Sequence, residues 1–132
     1  MIRVYVADSV SKERSVLRLL LLDLKMEVVG FSSDWLTTLA LAPPSKLDML
    51  LVDWNLLPEK PETSLAALRG ACPNPVVIVL VSRWNVGKKA EHPSGADAII
   101  SKSETRDRVA TRLQTVAESI AHGFHSVALV SE

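Results

Sequence analysis

Asp8, Asp53, Ser82 and Lys102 stand at the ends of four short apolar runs, residues 2–7, 49–52, 76–81 and 98–100. Their types fit one piece of chemistry. Two carboxylates suit a hard divalent cation such as Mg²⁺, which takes oxygen ligands, keeps several waters and needs only one or two protein carboxylates. An ammonium and a hydroxyl placed beside it stabilise negative charge as it accumulates. Singly, each residue has a plainer reading: Asp53 as a cap or surface acid, Ser82 as a hydroxyl bonded to backbone, Lys102 as a solvated lysine. The informative feature is that all four end an apolar run.

The elements that must position them follow from the pattern. The four runs are rich in Val, Ile and Leu, and a fifth, residues 26–31, is similar apart from Glu27. Continuous apolar runs of this length suit strands buried on both faces, as in a parallel sheet. Between them lie helical spacings. Val16, Leu17, Leu20, Leu21 and Leu24 share a stripe with Ser11 as the expected N-cap. Val109, Leu113, Val116 and Ile120 form another, with Ser103 or Thr105 as cap. Residues 35–41 and 63–68 read as shorter helices closed by Pro43-Pro44 and by Gly70. Residues 84–95, with Gly87, Pro93 and two adjacent lysines, read as a short or irregular fourth helix. The strict alternation predicts an α/β fold, a three-layer, flavodoxin-like (βα)5 architecture. Its central five-stranded parallel sheet has the order 2-1-3-4-5, with helices on both faces. Ligands of such sheets bind beyond the carboxyl ends of the strands, where Asp8, Asp53, Ser82 and Lys102 fall.

At 132 residues the chain is one domain, expected over residues 1–121 with a tail at 122–132. Fifteen Lys+Arg balance fifteen Asp+Glu, which argues against bound nucleic acid. No run approaches a membrane span and no targeting segment is visible. With Cys72 the only cysteine, the cytoplasm is the expected location. His92, His122 and His125 are too dispersed for a zinc site. Lys88-Lys89 reads as a solvated face, Trp35 and Trp84 as packing or partner surface, and Trp54 as a cover for the rim of the site.

The ordered pieces Arg-Val-Tyr-Val-Ala-Asp, Asp-Met-Leu-Leu-Val-Asp-Trp-Asn, Val-Val-Ile-Val-Leu-Val-Ser and Gly-Ala-Asp-Ala-Ile-Ile-Ser-Lys resemble the receiver domain of bacterial two-component response regulators. The resemblance covers about residues 2–121. It implies Asp53 as phosphoacceptor, and Asp8 as the first of the acidic pair that holds Mg²⁺. It implies Asn55 as the donor of a backbone carbonyl to the metal, Ser82 as the switch hydroxyl and Lys102 as the partner of the phosphoryl group. The implied partners are a sensor histidine kinase or phosphotransfer protein and a downstream protein. A homodimer through a helical face is compatible but not required. The implied role is signalling rather than enzymatic turnover. Asp53 is expected to be reachable from solvent.

Several positions depart from the family pattern. Ser9 stands where the second acid belongs, which removes a charge and an oxygen ligand and predicts weaker Mg²⁺ binding. The acceptor loop runs Asn55-Leu56-Leu57-Pro58, one residue long, with no glycine after it. Arg83 follows the switch hydroxyl where a small residue is usual, Ile99 takes the aromatic switch position, and Ser103 follows Lys102 where proline is common. These departures support a second reading, a pseudo-receiver that acts as a phosphorylation-independent interaction module. An aspartate-nucleophile phosphatase ranks below both, since Asp8-Ser9-Val10 lacks that family's second aspartate. A nucleotide-binding module ranks lower still, since the first turn has no Gly-rich phosphate loop. Many receivers precede a DNA-binding domain, so this chain is expected either to act by contacting another protein or to be part of something longer.

Overall fold

Val, Ile, Leu and Ala, with a tyrosine and a methionine, make up most of four strands, the first three buried almost throughout and the last at alternate residues. These are β1 (Arg3–Ala7), β3 (Met49–Asp53), β4 (Val76–Val81) and β5 (Ala98–Ser101). A fifth, β2 (Glu27–Ser32), is more exposed and lies at the sheet edge. In the computed structural model, which describes residues 1–82 and 95–121, all pairings are parallel and the order is β2-β1-β3-β4-β5. The described helices are α1 (Ser11–Asp23), α2 (Trp35–Leu41), α3 (Pro61–Ala71) and α4 (Arg106–Ala121), with 3-10 turns at Pro43–Ser45 and Trp54–Leu56. The expected helix at 84–95 lies outside the described residues, apart from Gly95, as do Arg83, Trp84, Lys88, Lys89 and the tail from residue 122. No helix among the described residues is long and apolar enough to cross a membrane.

Alternation along the strands sends side chains to two cores, one on each face of the sheet. Val4, Val6, Met49, Leu51, Ile78, Leu80 and Ile100 pack against Leu20 and Leu21 of α1 and Leu113, Val116 and Ala117 of α4. Tyr5, Ala7, Leu50, Val52, Val77 and Val79 pack against Trp35, Leu65, Leu68 and Cys72 on the α2–α3 side. Each fully buried Leu or Ile contributes about 1.5–3 kcal/mol by leaving water. Trp35 and Cys72 are therefore packing residues. On the second face a glycine is required: a Cβ on Gly30 would stand 2.7 Å from Cε2 of Tyr5.

Local departures from the sequence expectations have physical reasons. Ser11 is the first helical residue of α1, not its cap; Val10 takes the cap position, with its N–H bonded to Oδ1 of Asp8 at 2.9 Å. Thr105 caps α4 as expected, accepting from Arg108 N at 3.3 Å. Gly70 lies inside α3, which runs on to Ala71 and starts at Pro61, because Pro is favourable in the first turn. Val16 faces outward with Leu19 and Leu22, so the apolar positions of α1 wrap beyond its buried stripe.

Candidate functional site

Register brings the strand ends together. Ala7 pairs with Val52 and Asp53 with Leu80, so Asp8 and Asp53 emerge side by side from β1 and β3. Val81 pairs with Ser101, and Lys102 N donates to Val81 O at 2.8 Å, which sets Lys102 beside Ser82. Four polar residues are buried among the described ones: Asp8, Ser32, Thr38 and Asp53. Ser32 and Thr38 hydrogen-bond to each other, and Thr38 also donates to Asp34 O at 2.8 Å. Asp8 and Asp53 are different, because buried carboxylates need a counter-charge.

Lys102 supplies it. Its Nζ lies 2.9 Å from Oδ2 of Asp8 and 3.3 Å from Oδ1 of Asp53, and it also donates to Glu13. Burial works against the ammonium, but the hydrogen bonds to Glu13 and Asp8 and the charges of Asp53 and Asp8 outweigh it, so its pKa is raised. Burial pushes the Asp53 carboxyl up, Lys102 pulls it down and Asp8 pushes it up again; the net shift is upward. Burial thus makes the charged form of Asp53 less favoured than that of a free aspartate.

Three features differ from the sequence expectation. Asp53 is not open to solvent: its side chain is 3% exposed, because it ends a central strand flanked by β1 and β4 and lies against the Lys102 ammonium. A third carboxylate is present: ligand oxygens of Asp8, Glu13 and Asp53 lie within 4.8 Å of one another. The serine at position 9 therefore does not leave the cluster with only two acids. The signal for Glu13 lay in the sequence, because an acid in the first turn of a helix that follows β1 must hang over the same sheet edge. Finally, Arg14 donates to the backbone oxygen of Asp8 at 2.7 Å, which ties α1 to the end of β1.

The other residues are placed as follows. Asn55 is exposed in the 3-10 turn after β3, with its N–H directed at Oδ1 of Asp53 at 3.5 Å. Ser82 is half-buried directly after β4, and Ile99 is half-buried on β5. Trp54 is half-buried next to Asp53 and packs on the α2–α3 core. The Lys102 turn is itself braced, since Glu104 accepts from Ser101 N at 3.1 Å and from Arg112 at 3.0 Å.

Comparison with solved structures matches this architecture at high coverage. The receiver domain of AraT from Geobacillus stearothermophilus superposes with a TM-score of 0.75 at 23% identity, covering 92% of this chain and 97% of that one. The chain has the receiver fold. The response regulator domain of Thermotoga maritima CheB matches that fold at TM-score 0.69 and 24% identity, over 90% of this chain and 95% of the other. The receiver domain of RcsB from Salmonella enterica serovar Typhimurium, solved with the phosphomimetic BeF3-, gives 0.69 at 17% identity with 98% of both chains covered. No family model and no curated protein matches the sequence. In the receiver fold as this chain builds it, the cluster of Asp8, Glu13, Asp53 and Lys102 occupies the carboxyl edge of the sheet.

Proposed function

We propose that residues 1–121 are a response regulator receiver module that accepts a phosphoryl group on Asp53 from a sensor histidine kinase or phosphotransfer protein. The observation that supports this best is the meeting of Asp8, Asp53 and Lys102 from three strand ends, with the ammonium 2.9 and 3.3 Å from the two aspartates. A carboxylate oxygen of Asp53 bonds to phosphorus as the bond from phosphorus to the donor imidazole breaks, and the imidazole nitrogen keeps that electron pair. Ser82 donates its hydroxyl to a phosphoryl oxygen, and Lys102 moves its charge from Asp53 to another. The donor set, all oxygen, fits Mg²⁺: Asp8, Asp53 and the backbone carbonyl of Asn55 would hold it. When bound, the metal offsets the repulsion between the incoming phosphoryl group and the carboxylates. The change in charge then shifts a two-state equilibrium at Ser82 and in the turn after β5, which a downstream protein reads in the cytoplasm. With a formal charge of zero, this module is assigned no nucleic-acid contact of its own.

A second reading, the pseudo-receiver, is favoured by one observation: Asp53 is enclosed, with Oδ1 against Lys102. On that reading the ion pairs are a fixed brace, and the module binds its partner without phosphate. Incubation with a small-molecule phosphodonor and Mg²⁺, followed by intact mass, separates the two. A single phosphoryl adduct on the wild type and none on Asp53→Asn is the expected result. No adduct at millimolar Mg²⁺ on either protein favours the interaction module instead.

A further inference from the structure

Position 9 offers the site no carboxylate, yet the site has three acids. Asp8 and Asp53 come from strand ends, and Glu13 comes from the first turn of α1. Among the described residues, three carboxylates and one ammonium leave two negative charges without a counter-charge, the charge of one divalent cation. Without Glu13 the balance would be one. Asp53 is nearly enclosed, with Oδ1 3.3 Å from the Lys102 ammonium and 3.5 Å from Asn55 N, so it belongs to the same charge cluster as Asp8 and Glu13. Glu13 is well suited to exchange partners, because its side chain is 41% exposed and sits on the helix surface rather than on a strand.

We propose that Glu13 is a cation-binding carboxylate of this site, reaching from α1 to supply the negative oxygen that Ser9 does not. This rests on reading the cluster as a Mg²⁺ site, and it makes the site one whose acids come from β1, β3 and α1. Glu13 then has two partners. It holds Lys102 when no cation is bound, and it turns to the cation when one enters. The ammonium and the cation compete for the same oxygens, so the ion pair sets a threshold for metal entry.

Mg²⁺ titrations of the full chain test this, read by intrinsic tryptophan fluorescence, since Trp54 adjoins Asp53, and by calorimetry. Glu13→Gln is expected to weaken Mg²⁺ binding about tenfold or more, because affinity follows the charge of the ligand set. Adding Ser9→Asp to Glu13→Gln should restore it by returning a carboxylate from the next position. The loss must also persist in a Lys102→Met background; an effect that vanishes there comes only through the lysine and overturns the proposal. Unchanged or tighter binding in Glu13→Gln overturns it as well. If wild type forms the Asp53 adduct with Mg²⁺ while Glu13→Gln binds normally, only the role of Glu13 falls. If wild type neither binds Mg²⁺ nor forms the adduct, the receiver reading fails and Glu13 falls with it. Should Glu13→Gln not fold by circular dichroism, Glu13→Asp keeps the charge on a shorter arm, and an affinity equal to wild type would refute the geometry.

Discussion

Replacing Lys102 with methionine removes the only cation that the described structure places among Asp8, Glu13 and Asp53. At an effective dielectric near 20, the attractions at 2.9 and 3.3 Å are about 6 and about 5 kcal/mol. The carboxylates left behind, within 4.8 Å of one another, repel by about 3 kcal/mol or more per pair on the same scale. Against this stands the cost of desolvating the ammonium, several kcal/mol, which methionine does not incur. Removing one partner from a buried ion pair typically leaves a net loss of about 3–5 kcal/mol, and that is the expected destabilisation near neutral pH without metal. The loss should shrink on acidification. Burial already raises the Asp53 carboxyl and the lysine no longer lowers it, so Asp53 takes up its proton in the folded state at higher pH than in the unfolded chain, and folding is favoured as the pH falls from neutral to mildly acid. Mg²⁺ should restore stability more in the variant than in wild type, because no ammonium competes with it. Urea unfolding at both pH values, with Mg²⁺ or a chelator, measures all three effects. A variant as stable as wild type near neutral pH in chelator would refute the claim that the cluster is electrostatically coupled.

Asp53→Asn should stabilise the protein near neutral pH by about 1 kcal/mol, a few degrees in Tm. The sign follows from the raised pKa of Asp53. Below its ordinary value of 3.8 both states are protonated and the carboxyl costs nothing, whereas above the raised value the folded state bears the whole penalty. The advantage of the asparagine should therefore vanish in acid, which thermal melts across pH would reveal; a lower Tm at neutral pH would contradict it. Tyr5→Phe should be neutral or stabilising by up to about 1 kcal/mol, because the buried Tyr5 hydroxyl has no hydrogen-bond partner among the described residues. Chemical denaturation checks this, and a loss above that size would mean the hydroxyl is satisfied.

The strands were legible because parallel β-strands buried on both faces have no polar alternation, and runs such as residues 76–81 can be little else. Their order followed from the alternation with helices, and the site followed from the order, since Asp8, Asp53 and Lys102 had to share one edge. What escaped notice depended on side-chain reach and on rotation about helix axes. Glu13 follows no strand directly, yet the first turn of α1 brings its carboxylate to the strand ends. Val16 shares the spacing of the buried stripe yet faces outward, because seven apolar positions in the nine residues 16–24 make this segment apolar on more than one face. The exposure of Asp53 could not be read from local sequence at all. It is set by its position on a central strand and by a lysine forty-nine positions away in the chain.

The brace of Glu104 on Ser101 and Arg112 has a mechanical consequence for the site. It closes the Lys102 turn onto α4, so the backbone that carries the ammonium is anchored. A ligand that draws the charge outward must do so through the four methylenes of the side chain, by rotation about single bonds. The site thus behaves as a tethered arm on a fixed post, and its movement reaches neighbouring surfaces first through the carboxylate it releases on α1.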